Sequence, residues 1–190
     1  MKARILITVL AIIAMVASAN AQTVKANVEA SALKWTGTKV VGSSHYGFIK
    51  LKEGSLELKK GHIQKGHFVI DMKSMTNIDV ENEEYNKKLI GHLFSDDFFG
   101  VETYPTATLA LASVTKFKNN EATAKGQLTI KGQVHPVEFT IEKKDNDYIA
   151  SITVDRTLYG IRYGSGSFFD NLGDKAISND FTMDVSLVVE

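Results

Sequence analysis

The chain has 190 residues, no cysteine, and 22 basic and 22 acidic residues. A neutral chain is a poor match for nucleic acid, whose binding depends on neutralising phosphates, and for polybasic attraction to a membrane surface. Without cysteine there is no disulfide and no lipid-anchoring thiol, so the apolar core alone has to stabilise the fold.

The first 21 residues have the pattern of a secretory signal peptide. Lys2 and Arg4 supply the positive start, residues 5–16 form an apolar run, and residues 19–21 (Ala-Asn-Ala) fit the small-residue cleavage pattern. The alternative is a transmembrane anchor, but a membrane span needs about 20 apolar residues and this run is shorter. We therefore predict cleavage after Ala21 and a periplasmic or secreted mature protein.

The mature chain is predicted to be one domain over residues 22–190. Removing 21 of the 190 residues leaves 169, the size of a single domain with a substantial core. The signal peptide takes two basic residues with it, which leaves a net charge of −2. No transmembrane segment is expected in this part of the chain, and the choice between monomer and homodimer stays open.

Five runs of the mature chain alternate between apolar and mostly polar residues. Successive side chains of a strand point to opposite faces, so each run is predicted to be a strand with one apolar face. The apolar positions are Phe68, Ile70 and Met72; Leu109 and Leu111; Val137, Phe139 and Ile141; Tyr148, Ala150, Ile152 and Val154; and Phe181, Met183, Val185, Leu187 and Val189.

Four glycine-bearing segments and one polar run are expected to separate the strands. The glycine-bearing segments are Lys52-Glu53-Gly54, Lys60-Gly61, Gln64-Lys65-Gly66 and Lys131-Gly132, and the polar run is residues 143–147. Short strands joined by tight turns are typical of an antiparallel all-β sandwich or barrel.

One segment, residues 80–94, has a different period. Its apolar residues recur at the spacing of a helical stripe, acidic residues crowd its first turn, and Glu83–Lys87 and Glu84–Lys88 have the spacing of surface ion pairs. The sequence therefore predicts one amphipathic helix beside the strands.

Known catalytic and metal-binding patterns are absent from the sequence. The histidines are predicted to be dispersed surface residues, and His62 and His67 to lie on opposite faces, although a site built across the fold stays open. Residues 61–66 have the glycine spacing of a phosphate loop but lack the Lys and Ser/Thr that should follow. Residues 164–167 lack the spacing of a nucleophile elbow. We predict no enzyme activity, no metal and no cofactor.

Two aromatic pairs, Phe98-Phe99 and Phe168-Phe169, lie in predicted loops. One interpretation is that each pair plugs an end of the core. The other is that the pairs line or close the mouth of an internal cavity, and both roles are compatible at the rim of a barrel.

Arg156 follows an alternating strand, on the same face as Val154. If that face is internal, the guanidinium needs a partner, because a buried unpaired charge is costly. An internal ion pair with Asp155 or Asp170 is one candidate. An anionic or polar ligand group is the other, since arginine forms bidentate bonds to phosphate. His45 is in a similar position near a strand start.

The order of motifs along the chain closely resembles the YceI-like family of bacterial periplasmic proteins. The resemblance covers nearly all of the mature chain and implies an all-β, antiparallel, lipocalin-like β-barrel of about eight strands that holds a long isoprenoid lipid. The motifs are Gly37-Thr38-Lys39, His45-Tyr46-Gly47-Phe48, Ser95-Asp96-Asp97-Phe98-Phe99, Tyr104-Pro105-Thr106-Ala107-Thr108, Gly126-Gln127-Leu128-Thr129-Ile130-Lys131-Gly132, His135-Pro136-Val137, Thr153-Val154-Asp155-Arg156 and Tyr159-Gly160-Ile161.

The partner expected from this resemblance is an isoprenoid or other long-chain lipid, such as a quinone or a prenyl phosphate. Its head is predicted to contact Arg156 and His45. Its tail is predicted to lie against apolar residues drawn from Trp35, Phe68, Ile70, Phe98, Phe99, Leu109, Leu111, Phe139, Ile141, Phe168, Phe169 and Phe181.

Two alternatives to lipid binding stay open at this point. The first is a solid-cored barrel that acts as a structural or protein-interaction module. The second is an enzyme acting on a small hydrophobic substrate, which would bring His45, Asp155 and Arg156 together in one pocket.

Overall fold

The computed structural model describes residues 21–145 and 147–190. Apart from Ala21, the predicted signal peptide lies outside these residues. The described part of the chain contains nine strands, one α-helix and three short 3₁₀ helices. The strands are β1 (Gln22–Lys25), β2 (Ala32–Lys39), β3 (Ser44–Lys59), β4 (His62–Asp71), β5 (Thr106–Val114), β6 (Glu121–Ile130), β7 (Gln133–Lys144), β8 (Asp147–Asp155) and β9 (Ile177–Val188), and the helix is α1 (Glu83–Phe94).

Strands β2 to β9 form a closed antiparallel barrel. Each strand pairs with its neighbours in the order β3-β2-β9-β8-β7-β6-β5-β4, and the pairing of β3 with β4 closes the ring. Strand β1 lies outside the ring and pairs with the second half of β3. The all-β, lipocalin-like barrel of about eight strands is therefore confirmed.

The apolar faces of the alternating runs point into the barrel. Phe68, Leu111, Ile141, Val154 and Leu187, one from each run, are all buried in the core. The apolar face of each of these runs is therefore the internal one.

Two of the predicted turns are confirmed. Lys60-Gly61 and Lys131-Gly132 join consecutive strands, and both residues of each pair have positive φ angles between 51° and 76°. That geometry suits a two-residue hairpin because its twist matches that of the flanking strands.

Two other predicted turns were wrong. Gly54 lies inside β3 and Gly66 inside β4, where they pair with Phe68 and Leu56 of the facing strand. An added Cβ at Gly54 would lie 2.7 Å from the Phe68 ring, and one at Gly66 would lie 2.9 Å from Leu56. These glycines leave room for large neighbouring side chains rather than for a reversal of the chain.

The predicted helix is confirmed, with a start three residues later than expected. Asn82 caps it by accepting hydrogen bonds from the backbone N–H groups of Glu84 and Tyr85. The surface ion pairs are present, with Lys88 Nζ 2.6 Å from Glu84 Oε1 and Lys87 Nζ 3.9 Å from Glu83 Oε2. In the described residues, no helix is long and apolar enough to cross a membrane.

Candidate functional site

The barrel interior is not filled by side chains. An outer compartment of about 280 Å³ and an inner compartment of about 120 Å³ adjoin each other. Four side chains line both compartments and form a waist between them, namely Ile70, Leu128, Val154 and Met183. An eight-stranded barrel is wide enough to be either packed or hollow, and this one is hollow.

Most of the side chains predicted to contact a lipid tail line these compartments. Trp35, Phe98, Phe99 and Phe181 line the outer compartment, Phe68, Leu109, Leu111, Phe139 and Ile141 line the inner one, and Ile70 lines both. The inner compartment is lined almost entirely by aliphatic and aromatic residues.

Phe168 and Phe169 do not lie where either interpretation of the sequence placed them. Their side chains are 45% and 52% exposed, and neither lines a compartment. They lie in the loop before β9, where the guanidinium carbon of Arg162 is 4.6 Å from the centre of the Phe168 ring. Their predicted roles as core plugs or as cavity-lining residues are therefore corrected.

Arg156 is buried in the wall of the outer compartment, only 3% exposed. The 3₁₀ helix that follows β8 places it there, and Asp155 caps that helix by accepting a hydrogen bond from the backbone N–H of Thr157. The guanidinium donates to three backbone carbonyl oxygens. Its Nε donates to the carbonyl oxygen of Ser178 at 2.8 Å and its Nη1 to the carbonyl oxygen of Ile161 at 2.8 Å. Its Nη2 donates to the carbonyl oxygen of Ile177 at 3.1 Å.

Of the two candidate partners for Arg156, the internal ion pair is contradicted. Among the described residues Arg156 forms no salt bridge with Asp155, Asp170 or any other carboxylate. Burial lowers the pKa of Arg156 from its ordinary value, and the nearby charge of Asp155 opposes this effect. Backbone carbonyls accept its hydrogen bonds but carry no net charge, so within the described residues no anion contacts the positive charge of this cavity-lining residue.

Aromatic rings surround this arginine on the side of helix α1. The Arg156 guanidinium carbon is 5.6 Å from the centre of the Phe98 ring, a cation–π distance. The edge-to-face partner of Phe98 is His92, at 5.2 Å, and His92 also packs edge-on against Tyr163 at 4.4 Å. Helix α1 and the loop after it thus fix the orientation of the cavity wall around Arg156.

His45 lines the outer compartment and is held by Asp79. Its Nδ1 is 2.7 Å from Asp79 Oδ2, so the proton of a neutral ring is on Nδ1 and Nε2 is left as an acceptor. Asp79 Oδ1 also accepts hydrogen bonds from the backbone N–H of Tyr46 and from the side-chain amide of Asn77.

Acid is expected to weaken this cluster. Partial burial alone would raise the pKa of Asp79, but hydrogen bonds from Tyr46, His45 and Asn77 outweigh it and lower the pKa below the ordinary 3.8. A carboxylate with a lowered pKa contributes stability above about pH 4, and this stability is lost as the pH falls through the lowered pKa.

Asp79→Asn should therefore cost about 1–2 kcal/mol of unfolding free energy at pH 7. Its difference from the wild type should shrink as the pH falls below about 4. Urea denaturation of both proteins at pH 7 and pH 3 checks this, and a difference that is the same at both pH values would contradict it.

Helix α1 and the segment before it supply cavity-lining residues that the sequence analysis missed. Leu89 and Leu93 belong to the apolar stripe of the helix, and Met75 follows β4. The helical stripe indicated that α1 packs on the barrel. Only the closed ring shows that this contact lies over the cavity.

Two further charged residues, Lys39 and Asp180, line the outer compartment together with His45 and Arg156. No three His, Asp or Glu side chains in these residues are placed to hold a metal ion. His62 and His67 lie on the same strand and both are exposed, so the prediction that they lie on opposite faces was wrong, because the register of β4 shifts between Ile63 and Lys65. Asp155 accepts its hydrogen bonds from Thr157, so it does not join His45 and Arg156 at the cavity.

The family model of the YceI-like domain matches the sequence over residues 23–189, which is nearly the whole of the described chain. The chain belongs to the YceI-like family. A UPF0312 protein of Staphylococcus epidermidis strain RP62A is 31% identical over 99 residues, which are 46% of this chain and 53% of that protein. The chain thus spans about half the length of the curated relatives it matches.

Solved structures of three bacterial proteins have the same fold. BcnA of Burkholderia cenocepacia has a TM-score of 0.67 and 18% identity, over 86% of this chain and 98% of BcnA. A polyisoprenoid binding domain from Saccharophagus degradans has a TM-score of 0.59 and 15% identity, over 88% and 97% of the two chains. A YceI protein of Campylobacter jejuni has a TM-score of 0.54 and 19% identity, over 74% and 82%.

Proposed function

We propose that this YceI-like protein binds an isoprenoid lipid, with the tail in the apolar cavity and the head group at Arg156 and His45. The observation that carries the proposal is the cavity itself, whose inner compartment is apolar and whose outer compartment contains one buried guanidinium. The Saccharophagus degradans neighbour is described as a polyisoprenoid binding domain, which supports the same ligand class here.

Tail burial supplies enough free energy for useful affinity. Each buried methylene contributes about 0.8 kcal/mol, so ten such units give about 8 kcal/mol before several kcal/mol of association entropy are subtracted. Few polar contacts are then needed. This explains how such a protein works without a recognisable sequence motif.

The head group is best matched by an anion such as a prenyl phosphate. Arginine has five N–H donors, and within the described residues backbone carbonyls accept one bond each from Nε, Nη1 and Nη2. Two N–H groups and the positive charge remain for a ligand. A phosphate fits both needs, whereas a quinone carbonyl accepts hydrogen bonds but does not neutralise the charge.

The proposed role is sequestration or transport rather than chemistry. The predicted signal peptide directs the chain to the periplasm or the outside of the cell, where a lipid tail needs a protein to cross water. Asp155 is hydrogen-bonded to Thr157 and does not line the cavity, so it does not serve as a general acid or base there. A filled structural barrel is disfavoured because about 280 Å³ of its outer compartment is empty.

Mass spectrometry of organic extracts tests the proposal. The protein is purified from its own host without detergent, and a prenyl lipid at close to one molecule per chain is the expected result. A blank that persists after incubation with quinones and prenyl phosphates would overturn lipid binding and favour a protein partner.

A further inference from the structure

We infer that the cavity encloses an isoprenoid tail of about three units and that Phe68 sets this limit. The inference rests on the proposed function and makes it more specific, because it states how much of the prenyl tail the barrel encloses. Its basis is the size and the closed end of the cavity.

The cavity volume sets the amount of tail that can be enclosed. The two compartments of about 280 and about 120 Å³ together hold about 400 Å³. A dry protein cavity of about 150 Å³ accommodates the six carbons of benzene, which is about 25 Å³ per carbon. The interior therefore accommodates about 16 carbons, or three five-carbon units.

Well-buried side chains pack one end of the inner compartment. Leu56 and Ile63 are each only 2% exposed, and Leu187 and Tyr148 are also buried. These side chains line the inner compartment and belong to the core cluster. A longer tail cannot pass through this packed end, so its remaining units have to stay outside the barrel.

Phe68 determines how much room the inner compartment offers. Its ring packs against the backbone of two strand glycines, because an added Cβ would lie 2.7 Å from the ring at Gly54 and 3.0 Å from it at Gly66. Because Gly54 and Gly66 have no side chains, the Phe68 ring can lie close to the barrel wall. A methyl group at Gly66 would push the ring, Leu56 or Leu111 toward the space occupied by the tail.

Binding of prenyl phosphates of 10, 15, 20 and 40 carbons to the purified protein tests the limit. Trp35 lines the outer compartment and is the only tryptophan, so its fluorescence reports occupancy, with calorimetry as a second readout. Affinity should rise at least about tenfold from 10 to 15 carbons. From 15 to 40 carbons it should change by less than about threefold, because the added units remain in water.

Cavity variants shift the limit in opposite directions. Gly66→Ala should weaken the 15-carbon ligand more than the 10-carbon ligand. Phe68→Ala should make the 20-carbon ligand bind more tightly than the 15-carbon ligand, since the space left by the ring accommodates about one more unit, and Phe68→Leu should shift the preference in the same direction by a smaller amount. The leucine variant keeps the test available if the alanine variant does not fold.

The two proposals fail in different ways. A steady rise in affinity up to 40 carbons, or no change of length preference in the Phe68 variants, would overturn the limit while leaving lipid binding intact. No binding at any length would overturn the proposed function and the limit together.

Discussion

Arg156→Met is expected to weaken the binding of farnesyl phosphate by about a hundredfold and that of farnesol by less than about threefold. Both ligands have the same tail, so their difference isolates the head group. Removing one partner of a buried, charge-assisted contact typically costs 2 kcal/mol or more, and about 2.7 kcal/mol corresponds to a hundredfold. The neutral alcohol needs no charge compensation and should lose little.

Two other variants separate charge from shape. Arg156→Lys keeps the positive charge but lacks the planar fork, so an intermediate loss of about tenfold is expected. Arg162→Met is the matched control, because Arg162 is exposed, contacts Phe168 and does not line the cavity. It should bind both ligands as the wild type does.

The Arg156 variants also lose three hydrogen bonds to backbone carbonyls. Affinity therefore has to be measured where circular dichroism and urea titration show a folded protein. A loss of equal size for farnesyl phosphate and farnesol would mean that Arg156 maintains the shape of the cavity and does not bind the head group.

The barrel was predictable from the sequence because its signal is local. Period-two alternation identifies the internal face of each strand without knowledge of its neighbours, and ten of the twelve residues expected at the tail line the compartments. The helix was predictable for the same reason, since its stripe, its acidic first turn and its ion pairs lie within one segment.

Features that depend on distant parts of the chain were not predictable. Gly54 and Gly66 look like turn residues, and only the pairing of β3 with β4 shows that they accommodate Phe68. The carbonyl partners of Arg156 on β9 are more than 20 residues away, and backbone carbonyls carry no sequence signature. Nothing local distinguishes the exposed pair Phe168-Phe169 from the cavity-lining pair Phe98-Phe99.

The segment His45-Tyr46-Gly47-Phe48 needs a glycine because another stretch of backbone lies close to Gly47. The segment before α1 runs along this part of β3 and is hydrogen-bonded to it. The backbone N–H of Thr76 donates to the carbonyl oxygen of Phe48 at 2.8 Å, and the backbone N–H of Ile78 donates to the carbonyl oxygen of Tyr46 at 3.0 Å. A Cβ at Gly47 would lie 1.8 Å from the carbonyl oxygen of Thr76. This oxygen belongs to the backbone and cannot rotate away.

Gly47→Ala is therefore expected to destabilise the protein by about 3 kcal/mol, the upper range for overpacking. For a domain of this size, that corresponds to a fall of about 6–12 °C in Tm. Gly37→Ala on the adjacent strand is the matched control, because an added Cβ there meets no atom within 4 Å. Thermal unfolding of both variants checks the prediction, and equal Tm values would contradict it.

Gly47→Ala should also affect the ligand site, because it pushes the Thr76 segment away from β3. Thr76 accepts a hydrogen bond from Trp35 Nε1 at 2.9 Å, and the same segment continues to Asp79, which holds His45 at the cavity. If the Thr76 segment moves away from β3, the partner of Trp35 and the carboxylate beside His45 move with it. Gly47→Ala should thus weaken farnesyl phosphate and farnesol alike, unlike Arg156→Met, because it disturbs the cavity wall rather than the charge that the head group meets.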